Sequence, residues 1–228
     1  MLGLRDWYFQ ANLVGLCIMD DTASKVAEFL LQIKAIKLQP DQPFTWASGW
    51  KSPIYCDNRV ALSYPRVRTF IRQELVKLIE NKFGRPDIIA GVATAAIAPG
   101  ALVAEAMGLP FVYIRSSAKD HGRQNTIEGE VQAHQTAVVI EDLISTGGSS
   151  LKAVEELRQS GVIVKGLVSI FTYGFDVSSD NFRKAACPWY SLSNYDILIK
   201  QAILTGYVKK EYLPLLESWR KKPDSWKG

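Results

Sequence analysis

Residues 136–152 read TAVVIEDLISTGGSSLK, and they give the clearest indication of fold in the chain. The stretch begins with Ala137–Ile140, a short apolar run rich in β-branched residues, which is typical of a buried parallel strand. Two acids come next, then a cluster of glycines and small hydroxyl residues. From Leu151 the apolar residues recur at helical spacing. The order strand, acidic pair, glycine-rich turn and helix predicts one βα unit of a parallel sheet.

The turn at residues 141–150 has the chemistry of a phosphate site. Its glycines allow the backbone to approach a ligand closely, because no Cβ atoms intervene. The following helix directs unpaired N–H groups and the positive end of its dipole into the turn. Glu141 and Asp142 would repel a phosphate unless the ligand also presents hydroxyls or a metal ion there, as a ribose 5-phosphate does. The alternative is an ordinary serine-capped turn with two solvated acids.

Two common nucleotide motifs do not match this turn. No Gly-Lys-Ser/Thr follows the glycines, so the P-loop pattern is excluded. The spacing G-x-G-x-x-G is also missing, and the acidic pair precedes the turn instead of following it by about 20 residues. A dinucleotide fingerprint is therefore excluded as well.

Composition narrows the class of protein. The chain has 228 residues, 47% of them hydrophobic, which is enough for one core with appendages. A net charge of +4 is far from the basic footprint of a nucleic-acid binder, and no apolar run approaches the roughly 20 residues that span a bilayer. Cys17, Cys56 and Cys187 are scattered, which favours a reducing cytoplasm over a disulfide framework. We therefore expect a cytoplasmic protein with no nucleic-acid or membrane partner.

Apolar periodicity predicts alternating helices and strands along the chain. Strands are expected at 87–92, 111–114, 137–140 and 162–171, and helices at 23–36, 66–81, 96–107, 151–160, 178–186, 194–205 and 209–219. The fold class is thus α/β, with a central, mostly parallel sheet flanked by helices on both faces. Ligands bind such sheets at the carboxyl ends of the strands, here residues 91–95, 115–129 and 141–149. We expect four segments: an N-terminal extension at 1–18, an N-terminal helix and base-binding segment at 19–64, the core at 65–210, and the end of the C-terminal helix with a polar tail at 211–228.

Residues 115–129, RSSAKDHGRQNTIEG, form a long polar loop between two strands. A structureless loop of this length is uncommon unless it has a function such as closing over a substrate. Its potential phosphate donors are Arg115, Lys119, His121 and Arg123. A solvated surface loop is the alternative, but the phosphate turn expected on the same edge of the sheet favours a lid.

Together these stretches resemble the orotate phosphoribosyltransferase family, within the type I phosphoribosyltransferases. The resemblance rests on KDHG at 119–122, IEG at 127–129 and EDLISTGGSS at 141–150. FT at 44–45, SGWKSP at 48–53 and GVATA at 91–95 are similar to the family's early segment and to its pyrophosphate-facing loop. The resemblance covers about residues 20–210. It implies the type I phosphoribosyltransferase fold with a small N-terminal hood subdomain over residues 19–64.

The resemblance also implies a reaction. In this family N1 of orotate is joined to C1′ of 5-phospho-α-D-ribose 1-diphosphate (PRPP), diphosphate leaves, and orotidine 5′-monophosphate is formed in de novo pyrimidine biosynthesis. The transition state resembles an oxocarbenium ion. Positioning and electrostatic stabilisation are therefore expected to carry the catalysis.

Residue roles are carried over from the family by the same resemblance. The implied catalytic residues are Lys119, His121 and Asp142. The implied PRPP-binding residues are Arg115, Lys119, His121, Glu141, Asp142, Leu143, Ile144, Ser145, Thr146, Gly147, Gly148 and Ser149. Lys51, Tyr55 and Ser145 are implied for orotate. Mg²⁺ is the implied cofactor, carried by PRPP without a direct protein ligand, and the implied partner is a second copy, in a homodimer whose loop 115–129 reaches the neighbouring site.

Two other functions stay open at this point. One is phosphoribosyl transfer to a different base, and the other is a non-catalytic PRPP-sensing regulator. Such a regulator usually brings a DNA-binding element, whereas residues 1–40 show one helix and no basic helix-turn-helix pattern. The aromatic residues Trp46, Trp50 and Tyr55 fit either a flat pyrimidine pocket or ordinary core packing, and no role is assigned to Trp189, Trp219 and Trp226.

The chain departs from the family at three places. Ser116 stands beside the loop arginine where a second basic residue is frequent, and Ala93–Thr94 stand where many members have a Tyr-Lys pair. Residues 172–175, TYGF, replace the stretch that often supplies an arginine to the orotate carboxylate.

We predict that a backbone N–H or a residue of the 44–57 segment contacts the orotate carboxylate instead. A buried carboxylate needs a hydrogen-bond donor, and TYGF brings no cation. A ligand-bound structure measures this directly. Finding no protein donor at the carboxylate would contradict the prediction.

Overall fold

A six-stranded sheet forms the centre of the protein. The computed structural model describes residues 21–46, 48–115 and 126–226. The described helices are α1 (21–32), α2 (Pro65–Phe83), α3 (Ile97–Met107), α4 (Gly148–Gln159), α5 (Asp176–Lys184), α6 (Tyr195–Leu204) and α7 (Leu213–Lys221), with short 3₁₀ helices at Asn58–Ser63 and Lys210–Tyr212. The described strands are β1 (Ile36–Leu38), β2 (Phe44–Thr45), β3 (Lys51–Ser52), β4 (Ile54–Cys56), β5 (Ile88–Val92), β6 (Phe111–Ile114), β7 (Ile127–Glu128), β8 (Thr136–Ile144), β9 (Ile163–Thr172) and β10 (Trp189–Asn194).

The strand order of this sheet is β10-β9-β8-β5-β6-β7. Each neighbouring pair is parallel except β6 and β7, which are antiparallel. The α/β prediction with a mostly parallel sheet is therefore confirmed. Strand β5 is buried at every residue, and β8 and β9 are buried over most of their length, as continuous apolar runs such as Ile88–Val92 predict.

Strand β8 is longer than the sequence predicts. It does not end at Ile140 but runs to Ile144, so Glu141 and Asp142 lie within the strand and not after it. The reason is the partner strand β9, which continues to Thr172 and keeps the ladder paired as far as Ile144. Pairing with a neighbour thus overrides the low strand propensity of the two acids.

Three other predictions of secondary structure need correction. The first helix ends at 32 and not near 36, because Lys34 takes a left-handed backbone (φ 57°) and Ile36 already pairs with Cys56 in a sheet. Strand β10 was not predicted, since its sequence WYSLSN lacks an apolar run. The expected helix at 209–219 is a 3₁₀ turn followed by α7.

Two small antiparallel sheets lie outside the central sheet. Strand β1 pairs with β4, and β2 pairs with β3, with Thr45 opposite Lys51. The second pair forms a hairpin within residues 44–57. The division of the chain into a hood at 19–64 and a core at 65–210 stays a prediction.

Close packing holds α3 against the sheet. A Cβ atom on Gly100 would lie 2.7 Å from Cε2 of Phe111, and one on Gly91 would lie 2.8 Å from the carbonyl oxygen of Ala96. Side chains at these glycines would push α3 away from β5 and β6. The glycines therefore fix the path of residues 93–96, which connect β5 to α3. Within the described ranges, the structure contains no helix with the length and apolar character needed to cross a bilayer.

Candidate active site

The carboxyl ends of β5, β6 and β8 lie at one edge of the sheet. These strands are parallel, and β5 lies between the other two. The backbone N–H of Ala93 donates to the carbonyl oxygen of Ile114 at 2.8 Å, which joins the segment after β5 to the end of β6. The segments that follow the three strands therefore begin side by side, as the sequence predicts for a ligand site.

The turn after β8 is built around Gly147. This residue caps α4 with a left-handed backbone (φ +83°), and its carbonyl accepts the Leu151 N–H at 2.9 Å. Among the described residues no side chain caps α4, so its first N–H groups point into the turn without a side-chain acceptor. From α5, the Asn181 Nδ2 group donates to the carbonyl oxygen of Thr146 at 3.0 Å. The turn is thus a preformed cradle with free donors, suited to an anion.

The two acids of β8 differ in their surroundings. Glu141 is 4% exposed, and its two carboxylate oxygens accept from Ser150 Oγ at 2.8 Å and from the Asp142 N–H at 3.0 Å. Asp142 is only partly buried, and its carbonyl oxygen accepts from Asn58 Nδ2 at 2.7 Å. Asp142 also lines a narrow crevice with Arg59 and Ala95. Glu141 therefore supports the turn from behind, while Asp142 is the acid nearer to solvent.

Burial changes the acidity of both groups. Loss of hydration raises the pKa of Glu141 to about 8, and the neighbouring charge of Asp142 adds to the rise. Burial also raises the pKa of Asp142, against the lowering effect of its hydrogen bonds and of the Arg59 guanidinium. Two close carboxylates with little water share protons readily. Near neutral pH the ligand-free pair therefore carries less than its full double charge.

A cavity of about 300 Å³ opens beside the turn. The lining residues are Thr45, Trp46, Tyr55, Cys56, Leu143, Ser145 and Tyr173. Most of this wall is aromatic or apolar, with a few polar groups, as is typical of a pocket for a flat ring. Burial raises the pKa of the Tyr173 hydroxyl well above its usual value, so this group stays protonated and available as a donor. Ser145 belongs both to the cavity wall and to the glycine-rich turn.

The structure brings most of the predicted residues to this edge. Residues 141–149 form one continuous strand end, turn and helix start, and Tyr55 lies in the cavity wall. Lys51 does not line the cavity. Its Nζ donates to Oγ1 of Thr45 at 2.8 Å, and Thr45 does line the cavity. Within the described residues, we find no group of three or more His, Cys, Asp or Glu side chains arranged to hold a metal ion.

Residues 115 and 126–128 are the described ends of the long polar loop. The Arg115 N–H donates to the carbonyl oxygen of Thr126 at 2.9 Å, and its guanidinium is 3.1 Å from Glu128. Thr126 Oγ1 donates to Glu156 of α4 at 2.6 Å. The loop therefore starts and ends at the edge of the sheet beside α4. Lys119 and His121 lie outside the described residues.

Known proteins are similar to this chain in sequence. The family described as "Phosphoribosyl transferase domain" matches residues 65–203. The orotate phosphoribosyltransferase of Porphyromonas gingivalis is 56% identical over 201 residues, covering 88% of this chain and 96% of that protein. That of Phocaeicola vulgatus is 57% identical over 202 residues, with 89% and 95% covered. The chain belongs to the orotate phosphoribosyltransferase family.

Solved structures agree on the fold. The crystal structure of orotate phosphoribosyltransferase from Aeropyrum pernix aligns with a TM-score of 0.70 and covers 80% of this chain and 99% of that one. At 23% identity this likeness concerns the fold alone. The type I phosphoribosyltransferase fold and membership of an enzyme family of glycosyltransferases, both expected from the sequence, are thus confirmed.

Four residues of the candidate site have a role in the structure that the sequence did not predict, or predicted only in part. Asn58 and Asn181 hold the carbonyl groups of Asp142 and Thr146, but isolated asparagines far along the chain carry no pattern that reveals this. Tyr173 was noted only as part of a replacement for an arginine, and it lines the cavity. Arg59 was not singled out, although it directly follows the 44–57 segment and Asn58.

Replacing Glu141 by glutamine should stabilise the protein at high pH relative to low pH. The unfolded carboxyl titrates near 4.5 and the folded one near 8, so the wild-type fold binds a proton that the unfolded chain releases. Wild-type stability therefore falls as pH rises through this window, whereas glutamine does not titrate. Denaturant unfolding measures the free energy of unfolding of both proteins at pH 5 and at pH 9. Between these two pH values, the free energy of unfolding of the variant relative to the wild type should rise by on the order of a few kcal/mol. Glu155→Gln, on the exposed face of α4, should show no such shift; an equal shift in both would contradict the assignment to Glu141.

Gly147→Ala should destabilise the protein, whereas Gly148→Ala should not. An alanine at 147 would need a left-handed backbone, and its Cβ would lie 2.7 Å from Phe182 Cε2. A Cβ atom at Gly148 would lie 3.9 Å from Thr146 Oγ1, which is an ordinary contact, and the backbone there is helical. Chemical denaturation should give a loss of about 1–3 kcal/mol for the first variant and little change for the second. Equal losses would mean that the backbone of Gly147 does not define the turn.

Proposed function

We propose that this protein transfers the phosphoribosyl group of PRPP to N1 of orotate, forming orotidine 5′-monophosphate and diphosphate in pyrimidine biosynthesis. The observation that carries the proposal is the junction at Ser145. This residue ends the phosphate turn on one side and lines the aromatic cavity on the other. A sugar phosphate seated in the turn would present C1′ toward a ring in the cavity, which is the geometry that an N1–C1′ bond requires.

The turn would hold the 5′-phosphate. The uncapped N–H groups at the start of α4 and the hydroxyls of Ser145, Thr146 and Ser149 supply the donors. Leu143, Ile144, Gly147 and Gly148 shape the backbone of the cradle. No positively charged side chain is needed at this point, because the helix dipole and the amides already favour a dianion.

Asp142 would face the ribose hydroxyls, and Glu141 would hold Asp142 and α4 in place. As the C1′–O bond to diphosphate breaks, positive charge develops on the ribose ring, and a carboxylate beside it stabilises that charge. N1 of the orotate anion then forms the new bond to C1′, and diphosphate departs with the electron pair of the broken bond. Because Glu141 retains a proton more easily than usual, the pair need not carry two charges before the substrate arrives.

The described residues fit a magnesium ion that arrives with PRPP. Mg²⁺ commonly takes one or two carboxylates together with substrate phosphates and water. PRPP would carry the ion without a direct protein ligand, and Asp142, next to the turn and partly open to solvent, would accept hydrogen bonds from the water molecules around it. When bound, the ion would neutralise part of the negative charge of the diphosphate.

The diphosphate would be covered by the loop at 115–129. Lys119 and His121 supply the positive charge that a departing diphosphate requires, and Arg115 lies at the base of the loop, 3.1 Å from Glu128. We infer that the loop serves the neighbouring site in a homodimer. The loop of one subunit would then complete the site that the phosphate turn and the cavity of the other subunit form. Orotate would lie between Tyr55 and Tyr173, with Lys51 at the rim of the cavity.

The first test is the loss of orotate ultraviolet absorbance after addition of PRPP and Mg²⁺. We expect rapid loss with the wild-type protein and a kcat lower by about 10²–10³ with Lys119→Ala, because one charge on the leaving group is removed. Lys200→Ala, on the exposed side of α6, should match the wild type. Binding of PRPP without any loss of absorbance would instead favour a different base or a PRPP sensor.

A further inference from the structure

Helix α7 places a fully buried tryptophan behind the base cavity. Trp219 is 0% exposed and lies outside the residues 65–203 that match the phosphoribosyltransferase family. Its ring centroid is 5.7 Å from that of Trp46 and 5.6 Å from that of Tyr173, with near-perpendicular ring planes in both pairs. Both of these neighbours line the cavity. Trp219 therefore packs edge-on against two walls of the pocket at once.

A hydrogen bond ties the same tryptophan to the hairpin that carries the first wall. The Trp219 Nε1–H donates to the carbonyl oxygen of Lys51 at 3.2 Å. Lys51 lies in β3, opposite Thr45 of β2, and Trp46 directly follows Thr45. The hairpin is not paired with the central sheet, so this contact helps to set its distance from the sheet edge.

The next residue of α7 holds the second wall. Arg220 donates from Nε to the carbonyl oxygen of Tyr173 at 3.4 Å and from Nη2 to that of Gly174 at 3.2 Å. Its Nη1 is 3.2 Å from Asp196 at the start of α6. These bonds secure the backbone at the end of β9, from which the Tyr173 side chain enters the cavity. Trp219 and Arg220, which are consecutive in α7, thus hold the segments of Trp46 and Tyr173. These two wall residues directly follow strands of different sheets.

We propose that α7 is a positioning element of the base pocket, acting through Trp219 and Arg220. Trp46 and Tyr173 pack against each other, with ring centroids 5.2 Å apart, and together form one side of the cavity. The position of this side sets how well a flat pyrimidine carboxylate such as orotate fits, and α7 fixes that position. The phosphate turn has supports of its own, Ser150 and Asn181. It meets this cluster at the end of β8, where the Tyr173 N–H donates to the carbonyl oxygen of Ile144 at 3.1 Å. The inference rests on the proposed function and adds the residues that govern affinity for the base.

The test is a comparison of two Michaelis constants in Trp219→Phe. Phenylalanine keeps an aromatic ring but loses the donor to Lys51, so the hairpin loosens while most of the buried space stays filled. We expect the KM for orotate to rise about threefold to tenfold, with the KM for PRPP within about twofold of the wild type. Trp226→Phe is the matched control, because Trp226 donates to Ser218 and does not reach the cavity walls; its KM values should equal those of the wild type.

A second variant covers the case in which Trp219→Phe does not fold. Arg220→Met keeps an unbranched, flexible side chain at this partly exposed position and removes the bonds to Tyr173 and Gly174. It should raise the KM for orotate in the same selective way, and Arg183→Met on the surface of α5 should not. An unchanged KM for orotate in a folded variant, or equal increases for both substrates, would overturn the positioning role. Absence of wild-type turnover would contradict the proposed function itself, whereas wild-type turnover with unselective variants contradicts this inference alone.

Discussion

The hydrogen bond from Ser150 to the buried carboxylate of Glu141 closes the turn on which the candidate site depends. It joins the end of β8 to the first turn of α4, so the residues between them have a fixed path. The second carboxylate oxygen binds the Asp142 N–H and orients the next residue toward solvent. A buried acid is costly unless its oxygens have donors, and here the protein supplies both and shifts the proton equilibrium as well. The shape of the anion cradle and the direction of Asp142 follow from this arrangement.

The supports of the turn and of the cavity come from distant parts of the chain. Asn58 and Asn181 hold backbone carbonyls of the turn region, one from before the central sheet and one from α5. The cavity walls come from the hairpin β2–β3, from β4 and from the ends of β8 and β9. The two halves meet at Ser145. The two parts of the site are therefore built differently. A short continuous segment forms the part for the sugar phosphate, and several separate segments form the part for the base.

This division explains which features the sequence could predict. The apolar run at 137–140, the glycines and the helical period after Leu151 are local signals, and they correctly predicted the βα unit. The family was correctly predicted from the resemblance of the motifs at 119–122, 127–129 and 141–150. The extension of β8 through Glu141 and Asp142 depends on pairing with β9, which no local pattern contains. Strand β10 was missed for the same reason, because its polar sequence becomes a strand through pairing with β9. Trp219 received no role since its hydrogen-bond partner Lys51 lies 168 residues earlier.

The position of Trp219 in the chain has a consequence for biosynthesis. A ribosome produces the glycine-rich turn, Trp46 and Tyr173 well before Trp219, and chains begin to fold as they emerge. The cradle for the sugar phosphate is therefore complete in sequence at a stage when the base cavity still lacks its rear support. A nascent chain at this stage should resemble a general phosphoribosyl-binding domain, and selectivity for a particular base should be acquired as one of the last steps of its synthesis.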